Sequence, residues 1–287
     1  MLLMPRTHKG PLEGLALLSS TLKKEKLIFM DQTQLLAHCG SNKITREELC
    51  MVPTPEGTES HHPLAHHLIV EALAETLAFR HIAVVRDEYA VSEDGMKMFG
   101  VLDLETAFDG CRFSIGIRNS NDKSMRLAMT VGYRVFVCDN MAFQGDFTPV
   151  LAKHTKHFSL IDAMSVGVDR MQRNFDPMRR QITTWKESLM SDDEAKLVIY
   201  EAFVEEALEA PKHLARRVHD LYFNPQYEEF APRTRWSLTN SFTSAFKELD
   251  PIPQFKATAK LGSFLMNDSK APSMLARAVG ETSRTAS

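Results

Sequence analysis

The strongest constraint on this chain is a pair of alternating runs around a polar turn: CRFSIGIRN (111–119), SNDK (120–123) and SMRLAMTVG (124–132). In the first run Phe113, Ile115 and Ile117 alternate with Ser114, Gly116 and Arg118. In the second, Met125, Leu127, Met129 and Val131 alternate with Arg126, Ala128 and Thr130. A helix would scatter these side chains around its axis, whereas extended backbone puts each set on one side. The pattern predicts an antiparallel pair with one buried face.

The same reasoning extends both ways. HIAVVRDEYAVS (81–92) and MKMFGVLDLE (96–105) flank Glu93-Asp94-Gly95, a hairpin signature. YRVFVC (133–138) supplies a further strand with apolar residues in both rows, which predicts a strand covered on both sides. Cys138 then reads as a small buried side chain, and Asp139 and Asn140 as turn residues. The expected centre is an antiparallel meander of about five strands over roughly residues 81–138.

Helical periodicity dominates elsewhere. LEGLALLSSTLKKE (12–25) puts leucines on one side, and 63–79 is a helix with Pro63 in its first turn. After Phe158 the expected helices are 159–175, 178–190, 191–208, 211–223, 234–250 and 255–266. Ser191 and Glu194 form a capping box for the third of these, and Asp250-Pro251 ends the fifth. The fold class is α+β, with helices before the sheet and a helical C-terminal half. The expected divisions are an N-terminal helical region (1–55), one α+β domain (56–266) and a disordered tail (267–287).

Several chemistries are excluded by pattern. A net charge of −3 gives no global basic field. No run of apolar residues reaches the roughly 18 that a membrane helix needs, and Pro5, Arg6 and Lys9 interrupt a signal-like start. The expected location is the cytoplasm, with no membrane partner. There is no GxxxxGK[ST], GxGxxG or GxSxG. Cys39, Cys50, Cys111 and Cys138 form no CxxC, so free thiols are expected. HHPLAHH (61–67) offers His61, His62, His66 and His67, but Pro63 interrupts and HExxH is absent. These histidines read as solvated, and neither a metal nor a cofactor is expected. Cys138 with His154 or His157 is a conceivable thiol–imidazole pair, though it carries no protease signature.

Arginine interleaved with aromatic and amide side chains is the remaining signal. Arg173, Arg179, Arg180 and Trp185 form one group, and Arg233, Arg235, Trp236 and Asn240 another. Guanidinium groups suit phosphates and aromatic faces suit bases. Arg118, Arg126 and Arg134 could line an exposed face of the sheet.

SEDGMKMFGVLDLE, IGIRNSNDKSMRLAMTVGYRVFVCDN, LAKHTKHF and RWSLTNSFTSAF together resemble domain of unknown function 932, the phage/plasmid-like proteins of bacteria and phages. The resemblance covers roughly residues 60–265. It rests on Asn119, Ser120 and Asp122 in a turn, on Cys138 and Asn140 at a strand end, and on His154 with Thr155. It implies a setting on mobile elements and brings no assigned activity. Three readings follow. The first is non-enzymatic binding of nucleic acid, single strands included, with homo-oligomerisation. The second is interaction with a host or phage protein. The third is an enzyme whose site gathers Asn119, Asp122, Cys138, Asn140 and His154, which requires those side chains to share a pocket.

Overall fold

A computed structural model describes residues 41–138, 140–143, 148–205, 207–249 and 251–268. The helix expected at 12–25 and the tail beyond residue 268 lie outside these residues.

The order is β1 (Ser41–Ile44), α1 (Arg46–Leu49), α2 (His66–Phe79), β2 (Val84–Ser92), β3 (Lys97–Phe108), β4 (Cys111–Ser120), β5 (Leu127–Val135), β6 (Met141–Phe143), β7 (Val150–Ala152), α3 (Leu160–Glu187), α4 (Asp192–Phe203), α5 (Leu214–Phe223), α6 (Arg235–Ala245) and α7 (Pro251–Asp268). All seven strands join one antiparallel sheet, with β1 to β6 in sequence order. The outer edge of β5 is shared. β7 pairs with Leu127, Ala128 and Met129, while β6 pairs with Gly132, Tyr133 and Arg134. The class is therefore α+β, as the alternation predicts.

The turns follow from backbone chemistry. Gly95 closes the β2–β3 hairpin at φ +68°, and Asp109-Gly110 closes β3–β4 with both residues at positive φ. One face of the sheet presents Leu102, Phe113, Ile115, Ile117, Met129, Val131 and Tyr133, which share one core with Leu73, Met164, Met171, Val198, Leu221, Leu238 and Leu261 from the helices. Phe113 stacks on Phe175 of α3 at 3.9 Å. Helix α3 approaches closely at Gly167, where a Cβ would lie 2.4 Å from Val150 Cγ2.

The opposite face carries a small separate cluster of Val101, Met141 and Phe143. The Phe143 ring lies over Gly116 and Gly132, where added Cβ atoms would stand 2.9 and 2.8 Å from it. Here too Asp103, 2% exposed, meets Arg134, 5% exposed, with Nε 2.9 Å from Oδ2. Ser114 Oγ donates to the same carboxylate at 2.7 Å.

Three local expectations change. The runs 124–132 and 133–138 form a single strand ending at Val135, because Gly132 is a packing position and not a turn. Residues 136–138 are a turn. Helix α3 runs unbroken for 28 residues through Pro177, although proline removes one backbone donor. Pro251 opens a helix, its missing N–H costing nothing at a first turn.

Candidate functional site

The most concentrated polar chemistry lies at the end of the sheet where β4 finishes. Residues 61–66 cross it and are fastened to three segments. Leu64 N–H donates to Asn121 Oδ1 at 3.1 Å, and Leu64 carbonyl accepts from Asn121 Nδ2 at 3.0 Å and from Asn119 Nδ2 at 3.2 Å. His61 Nε2 bonds Asn121 carbonyl at 3.1 Å, and His62 N–H donates to His154 carbonyl at 3.1 Å.

His66, at the start of α2, bridges the β2–β3 turn and β4. Its Nε2 lies 2.9 Å from Gly95 carbonyl and its Nδ1 3.0 Å from Asn119 Nδ2. A carbonyl only accepts, so Nε2 carries the proton. Nδ1 then accepts from the carboxamide, which makes His66 a neutral imidazole. Burial holds its pKa below the usual histidine value against the Gly95 hydrogen bond, and His67 adds to the lowering.

His154 lies in the same place, its ring 5.4 Å from that of His61 and nearly parallel to it. It is 5% exposed, and neither ring nitrogen has a hydrogen-bond partner. Burial first, then His61 and His66, hold its pKa down to about 4. His62 Nε2, His67 Nδ1 and Asn119 Oδ1 are further buried atoms without partners. HHPLAHH is thus a fastening and not a solvated stretch, and its partner His154 arrives from the segment after β7, about ninety positions later. The sequence flagged both segments but held nothing to link them.

Asp122 sits in the adjoining turn. Burial opposes its ionisation, but hydrogen bonds from Ser120 and Ser124 and contact with Lys97 hold its carboxyl well below the usual carboxylate range. Thr155 is exposed beside His154.

Cys138 and Asn140 lie elsewhere. Val135 pairs with Cys111 at the opposite end of β4, and its N–H donates to Asn140 carbonyl. Cys111 and Asn119 are eight positions apart on one strand, which at a rise of about 3.3 Å separates the two ends by roughly 26 Å. Asn119, Asp122 and His154 therefore share one end and Cys138 and Asn140 the other. The five do not form one pocket. Asn140 Nδ2 donates to Asn240 Oδ1 at 3.2 Å, and Lys247 Nζ to Cys138 carbonyl at 2.6 Å, tying the end of β5 to α6 and its extension. Burial pushes the neighbouring Cys111 thiol up to about 12, so it stays protonated.

The arginine and aromatic groups divide by environment. Trp185 and Trp236 are buried in the core at 6% and 2% exposure, so neither offers a stacking surface. Asn240 is buried with them. Arg233 donates to Tyr222 and Phe223 carbonyls at 2.5 and 3.1 Å, and Arg235 to Leu265 carbonyl at 2.8 Å, so both clamp helices together. Arg179 pairs with Asp176 at 3.4 Å, while Arg173 and Arg180 are exposed on α3. Arg126 is exposed in the β4–β5 connection.

Strand register puts Arg86, Arg112, Arg118 and Arg134 on one face, that of Asp103 and Ser114. Arg134 is buried there in its ion pair, not exposed as its alternation suggested. Arg112 and Arg118 are half-buried, and the Arg112 guanidinium lies 4.7 Å over the ring of Phe136, a side chain 45% exposed.

Among the described residues, no group of three or more His, Cys, Asp or Glu side chains could hold a metal ion, and no helix is long and apolar enough to cross a membrane. A family model described as a domain of unknown function (DUF932) matches residues 91–284. No curated protein and no solved structure matches the chain.

Proposed function

The chain belongs to the domain of unknown function 932 family, and from that premise we propose that it is a non-enzymatic nucleic-acid-binding protein of phage or plasmid setting, acting on single strands. The observation that carries this reading is the arginine-bearing face of the sheet. Arg86, Arg112 and Arg118 come from β2 and β4 to one side, and Arg112 stacks on the half-exposed Phe136. A guanidinium held over an exposed aromatic ring presents hydrogen-bond donors for phosphate beside a π face for a base. Arg134 supports this face from below through Asp103 and touches no ligand. The two tryptophans play no part, being buried.

The test is titration of labelled single- and double-stranded DNA at two salt concentrations, with wild type and the Arg112→Ala and Arg118→Ala variants. Each lost phosphate contact should lower the salt slope by about one and weaken binding to all sequences alike. Binding that is absent at micromolar protein, or unchanged in both variants, overturns the reading.

A further inference from the structure

We propose that residues 57–66 form an acid-released strap across the end of the sheet, held down only while His66 and His154 are neutral.

The strap is fastened to the β2–β3 turn through His66, to the end of β4 through Asn119 and Asn121, and to the segment after β7 through His154 carbonyl. Its key joint works in one protonation state. Asn119 Nδ2 also faces Leu64 carbonyl, so the carboxamide cannot turn its oxygen toward His66 without setting two acceptors face to face. A proton on His66 Nδ1 therefore meets the N–H of Asn119, and two donors confront each other. Beneath the strap, an imidazolium at His154 would have two buried N–H groups without acceptors, which is costly.

Neither ring is hydrogen-bonded to a carboxylate. The other titratable groups on the strap and its adjoining helix start are His61, His62 and His67, which add like charge when protonated, and Glu59, which is exposed. From the β2–β3 turn come Glu93, Asp94 and Lys97, from the β4–β5 turn Asp122 and Lys123, and past β7 Lys153, Lys156 and His157. Of the four carboxylates, Glu59 and Glu93 are exposed to solvent, and the two aspartates are committed. Asp94 accepts from Ser92 and the backbone of Met96, and Asp122 accepts from Ser120 and Ser124 while contacting Lys97. Release uncovers Asn119 and His154, two of the residues that carry the family resemblance.

The experiment is hydrogen exchange on the full chain between pH 7.5 and 4.5, corrected for the intrinsic rate, comparing 57–66 with the β4 segment 111–120. Protection of 57–66 should fall at least about tenfold toward pH 4.5 while 111–120 keeps its protection. His66→Gln keeps a donor for Gly95 carbonyl and an acceptor for Asn119 Nδ2 without a titrating ring, and should cut the fall in protection to about threefold or less. Should that variant fail to fold, His154→Gln removes one titrating ring and should make the release shallower. Constant protection of 57–66 down to pH 4.5 overturns the proposal. So does its loss together with 111–120, or a release curve unchanged in the folded variants.

Discussion

Truncating Arg134 at the Arg134–Asp103 pair should be the most damaging charge change in the sheet. Both side chains are almost fully buried, at 6% and 3% exposure, and the closest approach is 2.9 Å. At an effective dielectric of about 20, unit charges at that distance attract by roughly 6 kcal/mol, most of which offsets the desolvation of the two groups. Arg134→Met removes the attraction and leaves the desolvated carboxylate with the 2.7 Å bond from Ser114 and with Glu88 nearby. The expected loss is about 3–5 kcal/mol. Urea unfolding of wild type and variant measures it, and at about 3 kcal/mol per M the midpoint falls by roughly 1–1.7 M. The double variant Arg134→Met with Asp103→Leu should recover most of the loss, because no charge is then left unpaired. A single-variant loss under about 1 kcal/mol, the range of solvent-exposed pairs, would refute the reasoning. So would a double variant as unstable as the sum of its parts.

Further outcomes follow from other contacts. His154, with a folded pKa of about 4 against an unfolded 6.5, contributes stability that is full above pH 6.5 and is lost as pH falls toward 4. By pH 5 the loss is about 2 kcal/mol, and unfolding of His154→Gln at pH 7 and pH 5 should show a correspondingly smaller difference than wild type. Gly132→Ala should cost more than Gly167→Ala by thermal unfolding. The first Cβ would meet the backbone oxygen of Ala142 at 2.1 Å, which cannot yield, while the second meets the movable ends of Val150 and Met129.

Periodicity made the sheet legible because its signal is local. Phe113, Ile115 and Ile117 declare a buried face without reference to any partner. The errors came where one residue type serves two purposes. Gly132 ends one of the expected runs, yet it sits in mid-strand, with Ala142 carbonyl and the Phe143 ring close against it. Pro177 reads as a helix end, yet α3 continues through it. Trp185 and Trp236 read as stacking platforms beside arginines, but indole area is core material whenever a helix face turns inward. The histidine cluster was hidden for a different reason. His61, His66 and His154 meet only because the chain returns from β7 to the end of β4, and no short-range pattern encodes that return.

The bare patch made by Gly116 and Gly132 acts as a register key for β6. That strand has three residues and three pairings to β5, too few to fix its alignment by backbone bonds alone. Sliding it by one position would turn the Phe143 ring to the other side of the sheet and bring Ala142 over the gap, where nothing would fill it. One ring fitting one gap thus sets the position of β6, and with it the point from which Asn140 reaches Asn240. The alignment of sheet to helices on that side rests on the fit of an aromatic ring between two missing side chains.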